Sequence, residues 1–394
     1  LLVERARERR LSQDSSLSGY SASLRYRLTL AIGERRWAQL PVAAIEEQVG
    51  SVQWHRPNDL KVEIQGRRTV QRDEAIKLST IFDRPWFVPG QADDSLRIVG
   101  QDFPAGGALH PLTAAGADWY RFTILDSLEV SRPVGPPLRL IRVEVVPRRG
   151  GRTLVAGRFW IDGASAEVVR FSFKYIGPVQ WVAPDEPTRG DSNSTRGLNR
   201  RLSRFFGLEF DLEYGLQDGF WLPFRQTISG RVQVPLGAGV VVPFEVVTRF
   251  ADYDVNTSTP IAFNRPLPDS TLTPGQIRRA RRDSLRTAFK ESGRRTWGGS
   301  RGWDATGRWS GGRFEIIRPS NDSLARYGGW TDTLTLETKP EDVARVRETT
   351  SELERLTAKL PSDITDISPH GFGYERPFDM IRFDRAQGTS IGAG

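Results

Sequence analysis

The sequence predicts a mainly β protein: a curved antiparallel half-barrel of about nine strands with an apolar inner face, plus two C-terminal helices. Three observations lead there. Between Leu138 and Tyr175 the chain reads as three consecutive strands. Ile141, Val143 and Val145 alternate with Arg142 and Glu144, and Val169, Phe171, Phe173 and Tyr175 alternate with Arg170, Ser172 and Lys174. Successive side chains on a strand point to opposite faces, so this alternation marks a sheet that is apolar on one side and wet on the other. The joints, Arg149-Gly150-Gly151 and Asp162-Gly163, tolerate the positive φ of a tight hairpin. Finally, hardly any helical periodicity interrupts the strands before Asn256. No α-layer is then on hand to cover the apolar face, and the sheet must curl around its own inside.

Residues 1–17 (LLVERARERRLSQDSSL) read as a charged helix or tail, and residues 18–256 as the half-barrel. Its first strand puts Tyr20, Ala22, Leu24, Tyr26, Leu28, Leu30 and Ile32 on one face, and Ser21, Ser23, Arg25, Arg27 and Thr29 on the other. Weaker strands follow around Ala43–Trp54 and Asn58–Gln65. Residues 66–117, rich in Gly, Pro and Asp, read mostly as loop; one so long is functional or partly disordered. Strand returns at Trp119–Asp126, with Tyr120, Phe122 and Ile124 inward, and leads into the 138–175 core. A polar insertion spans Pro184 to Arg204. Leu208, Phe210, Leu212 and Tyr214 then alternate with Glu209, Asp211 and Glu213. After the turn at Gln217-Asp218-Gly219 the inward residues are Phe220, Leu222, Phe224, Ile228, Val232 and Val234, followed by Val240, Val242, Phe244, Val246 and Phe250 on the last strand. The expected lumen is lined by Tyr26, Leu28, Phe122, Phe171, Phe173, Phe210, Leu222 and Phe224. These side chains either fill it or leave an apolar cavity.

Beyond Asn256 the character changes. Residues 257–273 form a Pro-rich linker. Thr273-Pro274-Gly275-Gln276 supplies an N-cap, a Pro at the first helical position and a capping-box Gln for an Arg-rich helix over 274–292. A Gly/Trp/Arg-rich loop segment covers 293–337. A second helix over 338–361 carries a coiled-coil-like seam of Val343, Val346, Leu353, Leu356 and Leu360.

The chain carries 56 basic and 48 acidic side chains, a net +8. Between Gln276 and Arg295 seven Arg and one Lys face only Asp283 and Glu291, a local +6, so the basicity belongs to one helix and its tail. Arg278, Arg279 and Arg282 with Trp297, Trp303 and Trp309 suit a membrane surface, because Arg meets anionic headgroups and Trp prefers the interfacial layer. Nucleic acid is not expected, and a solvated helix followed by a loose linker is the plainer alternative.

The absence of cysteine excludes disulfides and thiolate chemistry. His55, His110 and His370 are too scattered for a His-based metal cluster or triad, and no cofactor fingerprint occurs. No run of apolar residues is long enough for a membrane-spanning helix. The opening Leu1-Leu2-Val3-Glu4, without Met or signal peptide, reads as a processed or truncated start. Gly298-Gly299-Ser300-Arg301-Gly302 matches the nucleophile-elbow pattern, but it lies in a glycine-rich loop with only His370 downstream. A serine hydrolase using Ser300 is therefore the second alternative, behind a chain that is not an enzyme.

Several phrases resemble a bacterial outer-membrane family. They are Pro57-Asn58 opening a strand, Pro147 closing one, Trp160-Ile161-Asp162 at a turn, Trp221-Leu222-Pro223, and Asp252-Tyr253-Asp254-Val255-Asn256 closing the last strand. In that family a periplasmic region like the lipoprotein carrier LolA precedes a surface-antigen-type β-barrel. The stretch Met380–Gly394 is similar to the opening strand of such a barrel, which makes 362–394 a lead-in to it. The resemblance implies a non-catalytic periplasmic domain at the outer membrane, with the barrel in the same full-length chain. Its curved sheet would bind a lipid acyl chain or an apolar partner, or act as a scaffold. A stand-alone lipid or lipoprotein carrier is the first alternative.

Overall fold

The computed structural model describes residues 2–35, 39–56, 58–73, 77–78, 85–88, 95–99, 107–131, 137–179, 206–233, 239–256, 260–264, 303–309, 312–336, 339–357, 382–384 and 388–391. One large, curved, open sheet dominates it. After the one-turn helix α2 (Gly116–Trp119), seven strands run as an antiparallel meander: β8 (Tyr120–Val130), β9 (Leu138–Pro147), β10 (Leu154–Asp162), β11 (Val168–Ile176), β12 (Phe206–Gln217), β13 (Phe220–Gln233) and β14 (Val240–Val255). β1 (Gly19–Ala31) pairs with β14 on one side and with β3 (Val42–His55) on the other, and β4 (Asp59–Gln71) follows β3. A two-residue strand, β2 (Gly33–Glu34), also pairs with β14. Residues from the two ends of the half-barrel thus meet in the middle of the sheet.

The alternation that makes these strands also faces them. Tyr20, Ala22, Leu24, Tyr26, Leu28 and Leu30 of β1 are buried on the concave side, opposite Trp54, Val52, Gly50, Gln48, Glu46 and Ala44 of β3. Glycine serves where backbones crowd: a Cβ on Gly157 would lie 2.0 Å from the Ser172 carbonyl oxygen and 2.7 Å from the Phe173 Cα.

Three features depart from the sequence expectations. The segment 293–337 is not all loop, since β15 (Trp303–Trp309) and β16 (Gly312–Arg318) form a hairpin whose second strand joins β4 in parallel register. After it, α3 (Asn321–Ala325) and the chain to Asp332 wrap the far half of β4. Ser320 caps α3 by accepting from the Ser323 N–H, the Trp330 ring lies 4.0 Å from the Arg68 guanidinium, and Asp332 accepts from both Arg68 and Arg25. The inner face is also not free of helix. α1 (Leu2–Ser16) buries Ala6 and Arg10 against the core, and Arg5 and Arg9 donate to the Ala164 carbonyl and the Glu167 carboxylate. Lastly, in the final stretch β17 (Arg382–Asp384) and β18 (Gly388–Ile391) form a short hairpin, and β18 pairs with β5 (Lys77–Leu78).

A second long helix, α4 (Pro340–Thr357), rests on the domain through Val346, Thr349 and Thr350; Thr350 donates to Asp73, and Asp342 pairs with Arg72. The Arg-rich helix over 274–292, most of the linker and residues 358–381 lie outside the described residues.

Candidate functional site

The concave face holds a continuous aromatic ladder. Phe159, Phe171, Phe173 and Phe210 stack across β10, β11 and β12 at centroid separations of 4.0, 4.6 and 4.7 Å, and Tyr175 meets both Phe173 and Phe210 edge-on. In-register inward positions on neighbouring strands generate this ladder, because Phe159 opposes Phe171 and Phe173 opposes Phe210. It is the apolar lining that an acyl chain or an extended apolar peptide would need.

That lining is covered by the chain itself. Trp86, Phe87 and Val88 lie buried against β14, with Trp86 edge-on to Phe244 and Phe87 edge-on to Phe250. A second piece, β6 (Ser95–Leu96) paired with β7 (Ala108–Leu109), continues over the ladder to His110 and Leu112. Within the residues 66–117 read as loop, these pieces form the inner layer of the core.

Polar side chains on the concave face hold this layer by its backbone. Gln226 accepts from the Val88 N–H at 2.7 Å and donates to the Val88 carbonyl at 2.8 Å, as a neighbouring strand would. Thr248, its direct cross-strand partner, donates to the Trp86 carbonyl at 2.7 Å. Tyr120 donates to the Leu109 carbonyl at 2.7 Å and accepts from the Val155 N–H, and the Tyr175 hydroxyl donates to the Leu96 carbonyl at 3.5 Å. Gln226 and Thr248 were missed by the reading of inward apolar residues. The signal was present, since both interrupt an apolar inward series, Gln226 before Ile228 and Thr248 between Val246 and Phe250.

His110 sits at the centre of this packing, against Phe159 and Phe171. Its Nδ1 accepts from the Leu112 N–H at 3.0 Å, so a neutral ring carries its proton on Nε2. Burial, with the nearby Arg10 guanidinium, pushes its pKa well below 6.5. Burial also raises the Tyr120, Tyr175 and Tyr214 hydroxyls far above the usual phenol range.

Of the expected lumen residues, Tyr26, Leu28, Phe171, Phe173, Phe210 and Leu222 are buried, and Phe122 is half-buried against the core. Phe224 is 52 % exposed. A bulge skips it in the β12–β13 register, where Glu213 faces Arg225 and Tyr214 faces Pro223. On the edge strand β8 the register shifts between Ile124 and Asp126, and Ile124 is 61 % exposed. Trp303 and Trp309 bound β15, whereas Arg278, Arg279, Arg282, Trp297, Ser300 and His370 lie outside the described residues.

A cleft of about 350 Å³ opens between β4 and α3, lined by Arg67, Arg68, Thr69, Asn321, Ala325 and Trp330. Its guanidiniums are committed: Arg67 to Glu46 and Asn321, Arg68 to Glu47 and Asp332. These contacts make it a clasp on the edge of β4.

No protein-family model matches the chain, and no curated protein does. Among solved structures it is similar to an outer membrane lipoprotein-sorting protein domain from Vibrio parahaemolyticus, at 10% identity over 66% of this chain and 93% of that one, with a TM-score of 0.25. It is similar to a LolA superfamily protein from Nitrosomonas europaea at 13% identity over 69% and 96%, TM-score 0.21. The Pseudomonas aeruginosa MucA/MucB complex follows at 11% identity over 65% and 99%, TM-score 0.17.

Proposed function

We propose that this chain is a non-catalytic periplasmic binding domain of an outer-membrane protein, whose concave sheet takes an acyl chain or an extended apolar segment. One observation carries the reading. The aromatic face is covered by separate pieces of chain, residues 86–88, 95–99 and 108–112, held largely through their backbone by Gln226, Thr248, Tyr120 and Tyr175. Backbone anchoring is indifferent to side-chain identity, so the same anchors would serve an extended peptide laid in their place. The ladder behind would serve an acyl chain equally.

A dansyl-labelled fatty acid tests this by fluorescence on purified protein. Gln226→Leu with Thr248→Val loosens the covering segment and removes no aromatic lining. It is expected to raise probe affinity at least about tenfold over wild type, with unlabelled palmitate as competitor. Failure of both proteins to bind removes the ligand part.

A second reading, a scaffold whose lumen stays closed, is favoured by the completeness of that packing. It takes precedence if the loosened variant melts earlier yet binds nothing.

A further inference from the structure

The convex face carries a charge arrangement that the fold leaves uncompensated. Arg25 of β1, Arg249 of β14 and Arg225 of β13 are direct cross-strand partners, three arginines abreast on consecutive strands. Like charges directly opposite one another destabilise an antiparallel pair. At the ends of the row the charges are matched: Arg25 donates to Glu47 and Asp332, and Arg170, beyond Glu213, forks onto Asp211. In the middle they are not. Among the described residues, neither the Arg225 nor the Arg249 side chain makes a hydrogen bond or ion pair, and the Arg225 Nε is shielded from water with no partner. Glu213 opposes Arg225 in register but lies 4.0 Å from Arg170 Nε instead. Next to Arg225 the bulge turns Phe224 outward over Gly215, leaving the ring half in solvent.

We propose that Arg225, Arg249 and Phe224 form a docking surface for an anionic phospholipid bilayer. The two guanidiniums fork onto headgroup phosphates while the phenyl ring enters the interfacial layer. Charge complementarity selects the occupant. Adjacent planar guanidiniums without carboxylate partners fit phosphate oxygens, and an exposed aromatic ring beside them fits the headgroup level, whereas a freely soluble anion would have no use for it. The surface lies on the opposite face of the sheet from the aromatic ladder, so it stands whether or not the concave face takes a ligand.

Co-sedimentation of the full chain with phosphatidylcholine vesicles, with and without phosphatidylglycerol, tests it. Wild type is expected to bind only the anionic vesicles, less so as salt rises. Arg225→Gln with Arg249→Gln should weaken binding about thirtyfold, and Phe224→Ser should weaken it severalfold. A melting temperature no lower than that of wild type confirms that the double variant is folded, since it removes a repulsion. Binding of the double variant equal to wild type assigns attachment to the Arg-rich 274–292 segment and overturns the proposal. So does a wild type that ignores anionic vesicles, or one that millimolar inorganic phosphate displaces completely.

Discussion

At Gly157 and His110 the concave face tolerates little change. A methyl group on Gly157 would meet main-chain atoms of β11, which cannot rotate away. Gly157→Ala is therefore expected to cost about 1–3 kcal/mol, read as a drop in the urea midpoint, even though alanine normally favours order over glycine. His110 carries the pH dependence. Its folded pKa lies well below 6.5, chiefly through burial, whereas the unfolded chain takes up a proton as pH falls through 6.5. The unfolded state binds more protons in that window. Stability contributed by the neutral ring is thus complete above pH 6.5 and declines below it, by at most about 1.4 kcal/mol per pH unit. Urea titrations at pH 7.5 and 5.5 should show this loss in wild type, and His110→Gln should flatten it. An equal slope in both proteins would locate the titration elsewhere.

Among the elements, the strands were the legible part, because a period of two survives substitution of one residue for another of its kind. β1 and the 138–175 core were readable from Leu24, Tyr26 and Leu28, or Phe171, Phe173 and Tyr175, alone. The covering layer was not legible, because Trp86-Phe87-Val88 and Leu96-Arg97-Ile98-Val99 are stretches too short to show a period of their own. The first takes its order from Gln226 and Thr248, on strands more than a hundred residues away, and the second from Tyr175 and from the Val99 N–H donating to the Phe87 carbonyl. The β15–β16 hairpin was hidden likewise. Its Gly, Trp and Arg residues read as loop, and the exposed edge of β4 provides the pairing. Phe224 failed for a local reason, a bulge that alternation cannot anticipate. The anchoring itself is testable: Gln226→Leu leaves the Val88 N–H and carbonyl unsatisfied, a loss of about 2–4 kcal/mol. Hydrogen exchange should accelerate at Val88 and Val99 before it does in β13. Uniform acceleration across the sheet would instead make Gln226 an ordinary core residue.

At the scale of the whole molecule, β1 decides whether the sheet is one body. It lies between β3 and β14, so the strands from β3 outward and the seven-strand meander touch as one sheet only through it and the short β2 pairing. The β1–β14 partners Tyr20 and Val255 are separated by nearly the whole half-barrel in sequence. Contacts of that range form only after a large loop-closure cost has been met. A lesion in β1 should therefore spread to both sides, and one at the margin should not. Leu28 and Ile316 are both buried aliphatic side chains, one at the centre of the sheet and one in the β15–β16 hairpin. Truncating either to alanine removes a similar amount of packing, about 2–5 kcal/mol where the neighbours cannot close in. In Leu28→Ala, hydrogen exchange should lose protection in β3 and β14 together, with a single unfolding transition at lower denaturant. In Ile316→Ala, the loss should stay in β15, β16 and the first half of β4, while the global transition hardly moves. If Leu28→Ala frees only the β3 side and leaves the meander protected, the meander folds on its own. The concave face would then belong to an independent seven-strand unit, to which β1, β3 and β4 are added afterwards.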